Sequence, residues 1–170
     1  MRAAIAAGKH VYCEKPIAQR QARIDDNLRA VDDAAELGAD VLVLVCGPAP
    51  DRDIAAARAM VRDGIAAVLS YAEQRGMKLS VEPLHPMFAG DRSVITTLAE
   101  ANALVGEIAS PSLGVVVDVY HIWRDPDPYE QIARASGYIV GFHVNDFLAP
   151  PPDLGCARRR GAGADEPALP

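Results

Sequence analysis

Apolar residues in this chain follow two alternating rhythms. Between residues 22 and 147, segments with an apolar residue every three or four positions alternate with short, near-continuous runs of Val, Leu and Ile. The first spacing marks a helix with one buried face, the second a strand covered on both sides. A helix is predicted over 22–38, with Leu28, Val31 and Ala35 along one face and Gly38 as its C-terminal cap. A second is predicted from Asp51 to Arg75, turning Ile54, Ala57, Val61, Ile65, Val68 and Leu69 inward and stopping at Gly76. A third runs from Arg92 to Ile108 with Pro111 beyond it, and a shorter one from Pro128 to Ala135. Between them, VLVLVCG, KLSVEP, GVVVDVY and YIVGFHV read as strands. Strands and helices in strict alternation imply βαβ units and a parallel sheet, an α/β fold.

Both ends depart from this rhythm. Residues 1–20 read as a leader: a short helix stopped at Gly8, then an apolar strand HVYC running into Glu14, Lys15 and Pro16. Residues 150–170, rich in Pro, Gly, Ala and Arg without an apolar period, are expected to form a disordered tail, because they bury too little surface to offset their ordering entropy. The body of the fold is assigned to residues 21–149.

Composition narrows the class of partner. Half of the 170 residues are hydrophobic, enough for one sizeable core, whereas a complete eight-stranded barrel uses roughly 250 residues. A net charge of −6 disfavours a nucleic-acid backbone and favours a small-molecule substrate. Cys13, Cys46 and Cys156 form no C-x-x-C pair and read as reduced thiols of a cytoplasmic protein. No apolar run approaches the ~20 residues that span a bilayer, and no membrane partner is expected.

Three strands end on residues that bind metals. Glu82 and His85 follow KLSV, Asp118 and His121 follow GVVV, and His143 and Asp146 sit in FHVND. Carboxylates and imidazoles at the C-terminal ends of successive parallel strands face one mouth, and that donor set suits a divalent cation: Mn, Mg, Co or Zn. Asp118 directly follows Val115, Val116 and Val117, at the rim of a core where a charge needs a partner. Trp123 offers an apolar wall for a ligand face. His10 reads as a helix-end residue.

Through V-E-P-L-H-P, V-V-D-V-Y-H-I-W and F-H-V-N-D, in that order and each after a strand, residues 23–149 resemble the xylose isomerase-like TIM barrel superfamily, which holds sugar phosphate isomerases and epimerases and family 2 AP endonucleases. The resemblance implies a partial TIM barrel of four to five parallel strands, derived from a metal-dependent sugar isomerase or epimerase of carbohydrate metabolism. It implies Glu82 as metal ligand and as one of two proton-moving carboxylates, and Asp118 and His143 as further ligands. It implies His121 as a substrate contact in the isomerases or a metal ligand in the endonucleases. His85, Trp123 and Asp146 then border the substrate. The ion would polarise a carbonyl while Glu82 removes a neighbouring proton.

The family's last ligand, a Glu on the final strand, has no counterpart here. This leaves open a non-catalytic or vestigial metal- or ligand-binding fragment, and, ranked lower, an AP endonuclease-like hydrolase. The leader, A-G-K-H-V-Y-C-E-K-P, resembles the Glu-Lys-Pro segment of the glucose-fructose oxidoreductase/inositol dehydrogenase family, which would put Lys15 near a nicotinamide. No glycine-rich pyrophosphate turn precedes it, so no dinucleotide cofactor is expected. The chain thus reads as the middle of an isomerase joined to a dehydrogenase piece and an out-of-frame tail. Its open sheet edges favour homo-oligomerisation.

Overall fold

The structure, a computed structural model, describes residues 14–16, 21–49 and 52–145. The leader helix, HVYC, His10, Cys13, Asp146, Cys156 and the tail lie outside those residues. The elements run β1 (Glu14–Pro16), α1 (Gln21–Glu36), β2 (Val41–Val45), α2 (Ile54–Gln74), β3 (Lys78–Val81), a 3-10 turn (Pro86–Phe88), α3 (Leu98–Ile108), β4 (Leu113–Asp118), α4 (Val119–Ile122), α5 (Pro128–Ala135) and β5 (Ile139–His143). All five strands are parallel and pair in chain order, β1-β2-β3-β4-β5. This is the βαβ succession that the alternating rhythms predict, arranged as part of a barrel wall.

The pleat sorts side chains by parity. Leu42, Leu44, Leu79, Val81, Leu113, Val115 and Val117 join Val31, Ala57, Val61, Ile65, Val68, Leu98, Ala101 and Val105 of the helices in one core. The opposite parity carries Val43, Val45, Ser80, Glu82, Gly114, Val116 and Asp118, so the residues that bear the chemistry lie on the face turned away from the helices. Cys46 is buried in the core, and burial pushes its thiol up to about 12.

Local chemistry fixes the helix ends. At Gly38 and Gly76, with φ of +67° and +69°, paired bonds close each helix: Gly38 N–H to Ala35 and Ala39 N–H to Ala34, Gly76 N–H to Glu73 and Met77 N–H to Ala72. This is the Schellman arrangement that favours glycine. Asp53 accepts from Ala56 N–H at 3.0 Å, so α2 begins at Ile54 and not at Asp51; Ile54 falls on the uncovered first turn, 40% exposed, instead of in the core. α3 begins at Leu98 and not at Arg92, because Thr97 accepts from Glu100 N–H at 3.2 Å, while Ser93 is taken up by a parallel bridge to Gly47. β4 stops at Asp118 and not Tyr120, because the Asp118 carboxylate accepts from Tyr120 N–H at 2.8 Å and turns the chain into α4.

β5 approaches β4 unusually closely. A Cβ on Gly114 would stand 2.5 Å from the Tyr138 carbonyl oxygen and 2.7 Å from Val140 Cγ1. The β4–β5 register also slips between Val115 and Val116, which pair with Ile139 and Gly141. Since backbone cannot rotate out of the way, Gly114→Ala is expected to destabilise the fold by about 1–3 kcal/mol. Urea unfolding checks this; an unchanged midpoint would contradict the close approach.

Candidate metal centre

The register brings three strand ends together. Glu82 follows β3, and its N–H donates to the Leu44 carbonyl at 3.2 Å, which keeps it in line with the sheet. Asp118, the last residue of β4, is in register with His143, the last of β5. Both carboxylates are withdrawn from water, Glu82 at 1% and Asp118 at 6% exposure. His143 Nδ1 lies 3.2 Å from Glu82 Oε1 and 3.6 Å from Asp118 Oδ2. One ligand atom from each of Glu82, Asp118 and His121 falls within 4.8 Å of the others.

A divalent cation fits this donor set. Two buried carboxylates within a few ångströms repel each other unless a proton or cation stands between them, and the surrounding donors are those that first-row divalent ions accept. Asn145 holds Asp118 in place, its Nδ2 donating to Oδ1 at 2.9 Å and to Oδ2 at 2.8 Å. Together with Tyr120 N–H, this orients the carboxylate as the outer hydrogen bonds of metal ligands do.

The two other histidines among the described residues, His85 and His121, have their protons placed by the backbone. His85 N–H donates to His121 Nδ1 at 3.1 Å, and Met87 N–H donates to His85 Nδ1 at 3.2 Å. A neutral ring that accepts at Nδ1 carries its proton on Nε2. Burial pushes His121 down to about 4 and also lowers His85, where Arg124 adds to the effect. Both rings are therefore neutral at pH 7 and offer an Nε2–H donor. With Nδ1 occupied by an amide and Nε2 protonated, His121 in this arrangement has no lone pair for a metal, although it stands beside the carboxylates.

Of the residues singled out by sequence, Glu82, Asp118, His121 and His143 meet at one rim. His85 and Trp123 border it, their rings stacked at 6.3 Å between centroids. Sequence reasoning missed Asn145, although it lies inside F-H-V-N-D. It also missed Phe88, whose ring meets His121 edge-on at 5.9 Å, and Arg92 and Arg124, whose guanidinium carbons lie 5.0 Å from the Phe88 ring centre and 4.4 Å from that of Trp123. Among the described residues no helix is long and apolar enough to cross a membrane.

Residues 4–167 match the family described as "Xylose isomerase-like TIM barrel". A protein of Sinorhizobium meliloti 1021 is 46% identical in sequence with a TM-score of 0.82, over 91% of this chain and 60% of its own. Two further solved structures share the fold. A D-psicose 3-epimerase solved with D-fructose has a TM-score of 0.71 at 20% identity, over 85% of this chain and 55% of its own. The IolI protein, with a zinc atom, has a TM-score of 0.66 at 18% identity, over 79% and 49%. The chain thus spans at most 60% of the length of these three relatives. No curated protein matches it. Parallel βαβ units, the match across nearly the whole chain, and acids and imidazoles gathered at the strands' C-terminal ends agree on one conclusion: the chain belongs to the xylose isomerase-like TIM barrel family.

Proposed function

We propose that this chain carries the metal-binding and proton-abstracting part of a sugar isomerase or epimerase site. The observation behind the reading is the convergence of Glu82, Asp118 and His143 at the ends of β3, β4 and β5. Epimerases among the structural relatives support it at the level of the fold.

Glu82, Asp118 and His143 would hold the ion: Mn, Mg, Co or Zn. A divalent ion there supplies Lewis acidity and positive charge beside a substrate carbonyl. Glu82 is fixed and buried at a strand end, and it would be the group that takes a proton from the neighbouring carbon. His121 donates Nε2–H to a substrate oxygen, its direction set by the His85 amide behind it. Asn145 and Tyr120 N–H keep Asp118 from rotating away when a ligand enters.

Two outcomes are expected. Isothermal titration with Mn should show binding that Asp118→Ala weakens by two orders of magnitude or more, and unchanged affinity would remove Asp118 from the ligand set. In an NMR titration of the metal-free protein, His121 should stay neutral until about pH 4, since its folded-state pKa is lowered from 6.5 to about 4. The unfolded chain takes up this proton first, so His121 contributes a loss of stability as pH falls from 6.5 towards 4. An inflection for His121 near 6.5 would contradict the buried, amide-capped ring.

A further inference from the structure

We propose that Asp125 is a positioning residue: its carboxylate latches the loop after β4 to the start of α3 and so holds Trp123 against His85 beside the metal centre. The latch rests on contacts alone, and a failure of the isomerase or epimerase reading leaves it standing.

Asp125 is pinned on both sides. Its N–H donates to the Ile122 carbonyl at 2.9 Å, which closes the turn around Trp123, and its Oδ2 accepts from Leu98 N–H, 27 residues away in sequence, at 2.6 Å. The residue is 7% exposed, and Oδ1 is buried with no hydrogen-bond partner among the described residues, so the carboxylate is tied through one oxygen. The chain beyond it is poor in ties of its own. Trp123 to Pro128 reads W-R-D-P-D-P, in which Pro126 and Pro128 have no N–H to donate. Asp127, with φ of +52°, makes no side-chain bond to the first turn of α5.

At the other end of the latch lies a strap, residues 93–98, that also carries the loops after β2 and β3. Val94 N–H donates to the Gly47 carbonyl at 2.8 Å, and Leu84 N–H donates to the Ile95 carbonyl at 3.1 Å. Arg58 Nε on α2 donates to the Val94 carbonyl at 3.1 Å, and Thr96 N–H donates to Glu100 at 2.8 Å. His85 directly follows Leu84, and Trp123 stands two residues before Asp125, so both rings hang from this strap. The rings stack at 6.3 Å between centroids with 27° between their planes, and His85 N–H bonds to His121, a member of the acid cluster. Trp123 is 46% exposed, so half of its surface gains nothing from burial. A defined ring contact at that exposure needs backbone fixed on both sides of it, and Asp125 supplies the fixture on the tryptophan side.

An acid is a costly choice for this position. Burial raises the Asp125 carboxyl, Leu98 N–H lowers it, and Glu100 raises it again. In return the carboxylate meets the positive end of α3 through a charge-assisted bond. A neutral carbonyl oxygen of the same reach accepts the same N–H without a buried charge, which makes Asp125→Asn the rescue variant.

Trp123 is the chain's single tryptophan, so its fluorescence reads the latch. In the full chain near neutral pH, Asp125→Ala should red-shift the emission and raise the acrylamide quenching constant about twofold, with far-UV circular dichroism like that of the parent. Asp125→Asn should keep the parent's emission and quenching. His85→Ala should produce a change like that of Asp125→Ala, and the double variant should show no more than either alone, because both act on one ring contact. Parent-like emission and quenching in Asp125→Ala, an Asp125→Asn variant that behaves as Asp125→Ala does, or additive effects of the two single variants would overturn the inference. If Asp125→Ala does not fold, Asp125→Ser, whose hydroxyl is one bond short of the carboxylate oxygens, takes its place with the same outcomes.

Discussion

Two acids buried side by side at the end of a parallel sheet are the constraint around which this molecule is organised. Glu82 and Asp118 sit at the C-terminal ends of adjacent strands, both nearly sealed from water, on the sheet face away from the helical core. Such a pair is unfavourable unless something positive stands with it. The chain supplies part of the compensation itself, through His143 against both carboxylates, Asn145 across Asp118 and the Tyr120 amide. A divalent cation held there would supply the remainder and turn an electrostatic burden into a Lewis-acid site.

The same constraint explains details remote from the acids. Gly114 leaves room for the Tyr138 carbonyl and Val140 where β5 comes against β4. Schellman closures at Gly38 and Gly76 return the chain to the sheet within a few residues, so β2 and β3 start in register and deliver Glu82 to the rim. Beside the acids, backbone amides occupy Nδ1 of His85 and His121 and turn two amphoteric rings into donors.

Much of this was legible in the chain because its signals are local. Runs such as VLVLV and GVVVD mark strands buried on both faces, Gly38 and Gly76 mark helix ends, and the acids and imidazoles lie directly after those runs. What escaped is set by contacts between segments distant in sequence. The 3-10 turn after His85 depends on that ring accepting from Met87, and the late start of α3 reflects the bridge between Ser93 and Gly47. Asn145 matters only because β5 lies beside β4, and neither spacing nor residue type announces it as the partner of Asp118. Phe88, Arg92 and Arg124 join the site through loop folding alone.

Whether one ion is shared by three strand ends can be read from an anomalous difference map of crystals of this chain grown with manganese. A single peak is expected within coordination distance, about 2.0–2.6 Å, of oxygens from Glu82 and Asp118 and a nitrogen of His143. A peak elsewhere on the surface, or an ordered site in which these three side chains point apart with no ion between them, would contradict it.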